Sequence, residues 1–313
     1  MDYESLQGAR ACVTGADGFI GARLVRALLA RGAIVLGLHR SPTLQRLRPH
    51  QELSLQAFDL LDAEALKGSL ASFAPALVFH CAGLVDWRQE PTLTTAMLQQ
   101  NTIATAHVLE ASRLAKVSRV ILFGSAGEYG AQQSPLAEDA AALPLDPYSA
   151  SKLAATELAL VYQRSFSLAC TIVRPFMVYG VGEGPRRLLP SLFQQALAGG
   201  GEFPCSPGEQ LRDFIFVDEV AEGALRLACC PEAIGQVVNL GTGQATTVRE
   251  VIEVACQLSG GKVSPRFGAM PYRPGEPMQL YAEPHKLRRL LRWSPVVSME
   301  EGLATMWREA QGY

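Results

Sequence analysis

Arg10-Ala-Cys-Val-Thr14 runs directly into Gly15-Ala-Asp-Gly18-Phe-Ile-Gly21, then into a helical run ending at Arg31, then into Gly32 and a second apolar segment, Ala33-Ile-Val-Leu-Gly-Leu38. The first five residues read as a short buried strand. The three glycines, each three apart, mark a turn whose backbone comes close to something. Ile20, Leu24 and Leu28 recur at four-residue spacing with Val25 and Leu29 beside them, so the helix has one apolar face, while Arg23, Arg26 and Arg31 fall mostly on the other. Gly32 suits the left-handed position that follows a helix. Strand, glycine turn, helix and strand within about thirty residues make one βαβ unit. Its helix N-terminus offers unpaired N–H groups and a positive dipole end, which suits a pyrophosphate. The spacing G-x-x-G-x-x-G differs from the G-x-G-x-x-G fingerprint, and a tight turn in any α/β protein is the plainer reading. The strand before the turn and the helix after it favour a dinucleotide site.

Strands and helices continue to alternate outward from this unit. Strand patterns recur at Leu53–Phe58, Ala76–Gly83, Arg119–Phe123 and Ala169–Val173, with helical patterns at Ala63–Ser72, Thr92–Lys116 and Tyr148–Phe166 between them. Such alternation predicts a doubly wound parallel sheet, and near-continuous apolar strands agree, because parallel strands are buried on both faces. After Pro175 the texture changes: Gly180–Pro190 and Gly199–Gly208 are rich in Gly and Pro. Phe214–Val217 and Val237–Leu240 read as returns to the main sheet or its flank. The expected organisation is a dinucleotide-binding domain over 1–175 and 212–240, with a smaller C-terminal substrate domain over 176–211 and 241–313.

Composition bounds the function. The 313 residues are 48% hydrophobic and 19% charged, with a net charge of −2, which favours neither nucleic acid nor an anionic membrane surface as partner. The seven cysteines include no C-x-x-C, so neither a disulfide framework nor a zinc site is implied, and the five histidines show no metal-ligand spacing. The acidic, polar start is wrong for a signal peptide, and no uncharged apolar run is long enough to span a bilayer. A cytoplasmic enzyme or binding protein is expected.

Tyr148-Ser-Ala-Ser-Lys152 places a phenol and an ammonium on one helix face. A phenol titrates near 10, too high for proton transfer at neutral pH, and a nearby ammonium stabilises its phenolate. Ser125 ends the strand just before, at the carboxyl edge of the sheet where the glycine turn also lies and where ligands of doubly wound folds bind. His80 ends a strand near the same edge and reads as a hydrogen-bonded strand terminus rather than a catalyst.

With these residues in view, the chain resembles the extended short-chain dehydrogenase/reductases, and within them the sugar-nucleotide epimerases, dehydratases and reductases. The resemblance rests on Thr14–Gly21, Ser125–Gly130, Tyr148-x-x-x-Lys152 and Arg174–Gly180, with Arg212–Val220, Asn239–Gly243 and Arg273–Glu276 behind them. It covers essentially the whole chain in order. It implies a Rossmann-type sheet and catalysis by Ser125, Tyr148 and Lys152. Tyr148 would be the acid/base at the sugar oxygen. Lys152 would hold the nicotinamide ribose and lower the Tyr148 pKa, and Ser125 would bond the reacting oxygen. Gly15, Gly18, Phe19, Ile20 and Gly21 would meet the pyrophosphate, His39 and Arg40 the adenosine ribose, and Asp59 and Leu60 the adenine. Cys81, Ala82, Gly83, Pro175 and Val178 would line the cofactor, with Asn101 orienting the next segment. Ser125, Ala126, Met177, Arg212 and Arg273 would contact substrate, the two arginines clamping a nucleotide diphosphate. A homodimer through the helical stretches 92–116 and 148–166 is the family expectation.

Three departures refine this. An NAD-preferring site carries a carboxylate at the end of the second strand; here the sequence is Leu38-His-Arg-Ser41, so Arg40 points to a 2′-phosphate and NADP(H), with NAD(H) as the alternative. Ala126-Gly127 stand where the resemblance places the Asp-Glu or Ser-Glu pair of a 4,6-dehydratase, and Glu128 is one place too late. Met177 stands where an Asn usually contacts substrate. The sequence therefore leads to an NADPH-dependent 4-keto reductase of a nucleotide-linked 6-deoxyhexose. A 4-epimerase with tightly bound cofactor is the alternative, and a reductase of a small non-sugar carbonyl is a third reading. From another class comes a catalytically inactive NADP-binding protein, which would have no reason to keep Ser125, Tyr148 and Lys152 together.

Overall fold

A computed structural model of the protein describes residues 6–41 and 44–312. The acidic start of the chain and Pro42 lie outside the described residues. Through residue 175 the elements are β1 (Arg10–Thr14), α1 (Phe19–Leu29), β2 (Ile34–His39), β3 (Leu53–Ala57), α2 (Ala63–Phe73), β4 (Leu77–His80), α3 (Thr94–Met97), α4 (Ala104–Leu114), β5 (Arg119–Phe123), α5 (Pro147–Phe166) and β6 (Cys170–Pro175). Beyond it come β7 (Met177–Tyr179), α6 (Leu188–Leu197), β8 (Gly201–Cys205), β9 (Leu211–Arg212), β10 (Phe214–Phe216), α7 (Val217–Cys229) and β11 (Val237–Leu240). The chain closes with β12 (Thr246–Thr247), α8 (Val248–Leu258), β13 (Val263–Phe267), β14 (Gln279–Leu280), α9 (His285–Leu291) and α10 (Met299–Ala310).

Seven strands pair in the order β11-β6-β5-β4-β1-β2-β3, every pair parallel. The doubly wound α/β fold expected from the alternation is the one observed. Neighbouring residues of each strand serve opposite layers. Val13, Phe79, Ile121 and Val173 pack with α1 and α7, whereas Cys12, Val78, Val120 and Ile172 pack with α2, α4 and α5. Two covered faces explain why these strands read as unbroken apolar runs. A separate apolar centre joins α6, α8 and α10 through Leu192, Phe193, Val251, Ile252, Leu303 and Met306. Tyr179, Phe214 and Phe216 of the β7–β10 pair also pack into it. No helix among the described residues is long and apolar enough to cross a membrane.

The strand order reverses between β1 and β4, the place where doubly wound sheets form a crevice at their carboxyl ends. The glycine turn fills the rim of that crevice so tightly that its glycines are structural before they are functional. Gly15 has φ of 66°, and a Cβ there would lie 2.9 Å from the Ala82 backbone. A Cβ on Gly21 would lie 2.1 Å from the Gly15 carbonyl oxygen. Asp17, inside the turn, accepts N–H groups from Gln45, Arg46 and Leu47 at 2.7–3.0 Å and so pins the segment that follows β2. Burial works against its ionisation, but the three donors hold it below the usual carboxylate range. Substituting Gly21→Ala forces backbone apart at the turn and is expected to cost about 1–3 kcal/mol. Urea unfolding measures this, and an unchanged midpoint would show that the turn relaxes freely.

Candidate functional site

The carboxyl edge of the sheet collects the residues that the sequence singles out. Gly15 follows β1, His39 and Arg40 end β2, Asp59 and Leu60 follow β3, Cys81 to Gly83 follow β4, Ser125 follows β5, and Pro175 ends β6. Gly18 caps α1 without a side-chain hydrogen bond, which leaves first-turn N–H groups to an anion. Gly83 is exposed, and its missing side chain keeps the edge open beside Lys152: a Cβ there would lie 4.0 Å from Nζ and 3.0 Å from Asn101 Oδ1. A capless helix end, a tight glycine turn and a small-residue rim fit a dinucleotide. Val178 lies one strand further on and packs partly into the main core.

Ser125, Tyr148 and Lys152 are all buried and converge at this edge. Pro147 at the first turn of α5 and the Asp146 carboxylate, which accepts the Ser149 N–H at 2.8 Å, start the helix so that Tyr148 and Lys152 lie one turn apart on its buried side. Burial pushes the Tyr148 pKa up to about 12, and the neighbouring Ser125 hydroxyl works against that rise. This corrects the expectation that Lys152 depresses the phenol: in this arrangement desolvation outweighs every favourable charge. Burial also lowers the Lys152 pKa, opposed by the Glu128 charge.

Glu128 is completely buried. Oε1 accepts the Ser125 N–H at 2.8 Å. Oε2 accepts from Arg174 Nε at 2.8 Å and from the Thr156 hydroxyl at 3.0 Å. The carboxylate therefore ties β5, α5 and β6 together beneath the three catalytic candidates. Ala126, also buried, brings no acid of its own, and the pair needed for elimination is not assembled.

Asn101 orients the neighbouring segment, by a device that helical periodicity conceals. The long helical stretch expected over 92–116 is interrupted by a π-helical turn, Leu98–Ile103, between α3 and α4. The wider turn carries Asn101 inward. Its Oδ1 accepts the Leu84 N–H at 2.7 Å, and its Nδ2 donates to the Leu84 carbonyl at 3.0 Å and to Ser151 Oγ at 2.8 Å. His80 lies just below. Thr105 Oγ donates to the Asn101 carbonyl, so it accepts from His80 Nε2 at 3.0 Å. The other ring nitrogen accepts from the Thr14 hydroxyl at 2.7 Å. Burial and then the Lys152 charge push His80 down to about 3, so the ring is neutral, a hydrogen-bonded strand terminus as the sequence suggests.

Other sequence candidates are placed differently. Arg40 is exposed and donates to Gln100 Oε1 at 3.2 Å, and His39 Nδ1 bonds the Ser41 carbonyl at 2.8 Å. Arg212 is buried, ion-paired with Glu276 of the Arg273–Glu276 segment and bonded to the Leu211 carbonyl at 2.8 Å. Its charge is thus already committed to closing β9 onto that segment. Arg273 stays exposed, near enough for its charge to act on Arg212. Met177 is exposed at the start of β7. The site residue that sequence reading missed is Trp87, whose ring centroid lies 4.9 Å from that of Tyr148; a lone Trp in a loop carries no spacing signal.

The sequence pattern of the NAD dependent epimerase/dehydratase family matches residues 11–241. A UDP-glucose 4-epimerase of Mycolicibacterium smegmatis is 32% identical over 94% of this chain and 96% of its own. An epimerase of Methanothermobacter thermautotrophicus superposes with a TM-score of 0.91 at 26% identity, over 99% of this chain and 94% of its own. A UDP-glucuronic acid 4-epimerase from Bacillus cereus, solved with UDP-glucuronic acid and NAD, superposes with a TM-score of 0.87 at 28% identity, over 97% and 99% of the two chains.

The Glu128 pairing gives a direct test. Glu128→Gln leaves the Arg174 guanidinium buried without its counter-charge and is expected to lower unfolding free energy by about 3–5 kcal/mol. A loss below about 1 kcal/mol in urea unfolding would show that the pair does not hold the edge together.

Proposed function

Because the chain belongs to the NAD dependent epimerase/dehydratase family, we propose that it is a nucleoside-diphosphate-sugar 4-epimerase that keeps NAD bound through turnover. The observation that carries this reading is the near full-length likeness to 4-epimerases, in a chain that buries Ser125, Tyr148 and Lys152 together. The net 4-keto reductase expected from Arg40 has the weaker support, since the relatives matched along nearly the whole chain are named for epimerisation.

The glycine turn and the open N-terminus of α1 hold the pyrophosphate, and Asp59 and Leu60 hold the adenine. Lys152, beside Gly83, holds the ribose next to the nicotinamide. When bound, the nicotinamide supplies the acceptor and later the donor of a hydride at C4 of the sugar. The protein manages the proton at O4. Ser125 bonds that oxygen, and Tyr148 takes its proton as the carbonyl forms and returns it as the carbonyl is reduced on its other face. A phenol near 12 is protonated at neutral pH, which suits the donating half of the cycle. The Ser125 hydroxyl favours the phenolate for the accepting half. The sugar nucleotide is proposed to sit against 176–211 and 241–313, with Ala126 and Met177 near the sugar and Arg212 and Arg273 toward the diphosphate.

Arg40 supports a second reading, an NADPH-dependent 4-keto reductase, because no carboxylate stands beside it at the end of β2. The experiment that separates the two starts by identifying the nicotinamide retained on purification by mass spectrometry. UDP-glucose and UDP-glucuronic acid are then supplied, and the 4-epimers are followed by NMR. Epimer formation without net cofactor turnover is expected, and Tyr148→Phe should slow it at least about 100-fold. Stoichiometric NADPH oxidation by 4-keto sugar nucleotides, with no epimer formed, would replace the epimerase with the reductase.

A homodimer in the cytoplasm completes the proposal. Leu98, Ile103, Leu114, Val161 and Phe166 are exposed, and all lie on the two helical stretches expected to form the interface. Light scattering should give twice the chain mass, and Phe166→Glu should shift it toward the monomer. A monomeric parent protein would refute the dimer.

A further inference from the structure

Residues 84–90 follow β4 without helix or strand. Asn101 ties their start to the helical layer by bonding both backbone polar groups of Leu84. Within the segment, Arg88 pairs with Asp86 at 2.6 Å and with Glu90 at 3.1 Å. Between those two acids stands Trp87. Its indole packs on the Tyr148 ring at 4.9 Å between centroids and 59° between planes. A Cβ on Gly127 would approach the same indole to 2.6 Å, so the turn after Ser125 lacks a side chain where Trp87 sits. At the far end of the segment, Gln89 presses on the Arg273–Glu276 turn: a Cβ on Gly275 would lie 2.2 Å from Gln89 Nε2.

Trp87 thus touches the tyrosine and the serine turn, on a segment that also meets the substrate half. A tryptophan that packs for stability shares an apolar cluster, as the equally half-buried Trp293 and Trp307 do. Trp87 is only half-buried and belongs to none of the apolar clusters of the described residues. We propose that Trp87 is a specificity-determining wall of the sugar pocket, taking the C–H face of a nucleotide-linked pyranose while the 4-hydroxyl reaches Tyr148. This rests on the sugar-nucleotide reading above. An indole offers a broad apolar face with little conformational entropy to lose. It gives nothing to the nucleotide alone, which would lie beyond the sugar.

The test compares the affinities of the NAD-loaded protein for UDP-glucose and for UDP by titration calorimetry. Trp87→Ala should weaken UDP-glucose about tenfold, the size of one good aromatic contact, and leave UDP unchanged. Trp87→Phe should restore most of the loss. Fluorescence gives a second readout. Trp307 packs on Phe193 and Trp293 lies under Arg226, both away from the edge. The change in tryptophan emission on adding UDP-glucose should therefore vanish in Trp87→Phe, a variant that keeps an aromatic ring and the fold. Equal loss for UDP and UDP-glucose in Trp87→Ala, or an emission change that persists in Trp87→Phe, would overturn the proposal. If the wild-type protein binds UDP and UDP-glucose equally poorly while retaining NAD, the sugar-nucleotide reading itself falls and takes the wall with it.

Discussion

A buried carboxylate must find its partners within the protein, and Glu128 does so in a way that builds the candidate catalytic edge. Its two oxygens meet the backbone of Ser125, the hydroxyl of Thr156 on α5 and the guanidinium of Arg174 at the end of β6. Three elements far apart in sequence are thereby set at fixed distances. Ser125 takes its place because its own N–H is one of the donors, and Tyr148 takes its place because Thr156 anchors two turns further along its helix. The Arg174 guanidinium also lies over the Tyr129 ring at 4.5 Å, and the Tyr129 hydroxyl donates to Asn239 at 2.7 Å, which extends the bracing to β11.

The other half of the molecule is joined to this edge by a second buried acid. Asp213 accepts from the Thr242 N–H and hydroxyl, from the Gly243 N–H and from the Ala282 N–H. Burial raises its pKa while these donors oppose the rise. Next to it, Arg212 is paired with Glu276. The segments 212–213, 242–243 and 276–282 are therefore one unit held by two charges, placed where the chain passes from β6 of the main sheet into β7, whose Met177 N–H bonds the Asp213 carbonyl at 2.9 Å. The family resemblance makes Arg212, with Arg273, a diphosphate clamp; in the structure the Arg212 charge first joins segments.

Much of the fold was legible because parallel strands covered on both faces must be apolar throughout, and helices between them must repeat apolar residues at three to four places. β5, α2 and β11 occur where those patterns put them. The π-helical turn at Asn101 was not legible, since a six-residue widening leaves the periodicity on either side intact. Trp87 was hidden for a different reason: irregular loops have no period, and nothing local says what such a ring will meet. The small pairings of β9 with β12 and β14 are too short to leave an alternation.

The sequence by itself determined the doubly wound sheet, the glycine turn and the residue types at the candidate site, because apolar periodicity and residue identity are read along the chain. It also supplied the missing acidic pair after Ser125, which is a matter of residue identity alone. Only the tertiary structure decided the electrostatics: that Tyr148 is raised by burial rather than lowered by Lys152, that Glu128 is spent on bracing, and that the Arg212 charge is committed to Glu276. A pKa or an ion pair is set by what surrounds a group in space and by how much water reaches it. Those surroundings come from segments that the chain separates by many tens of residues.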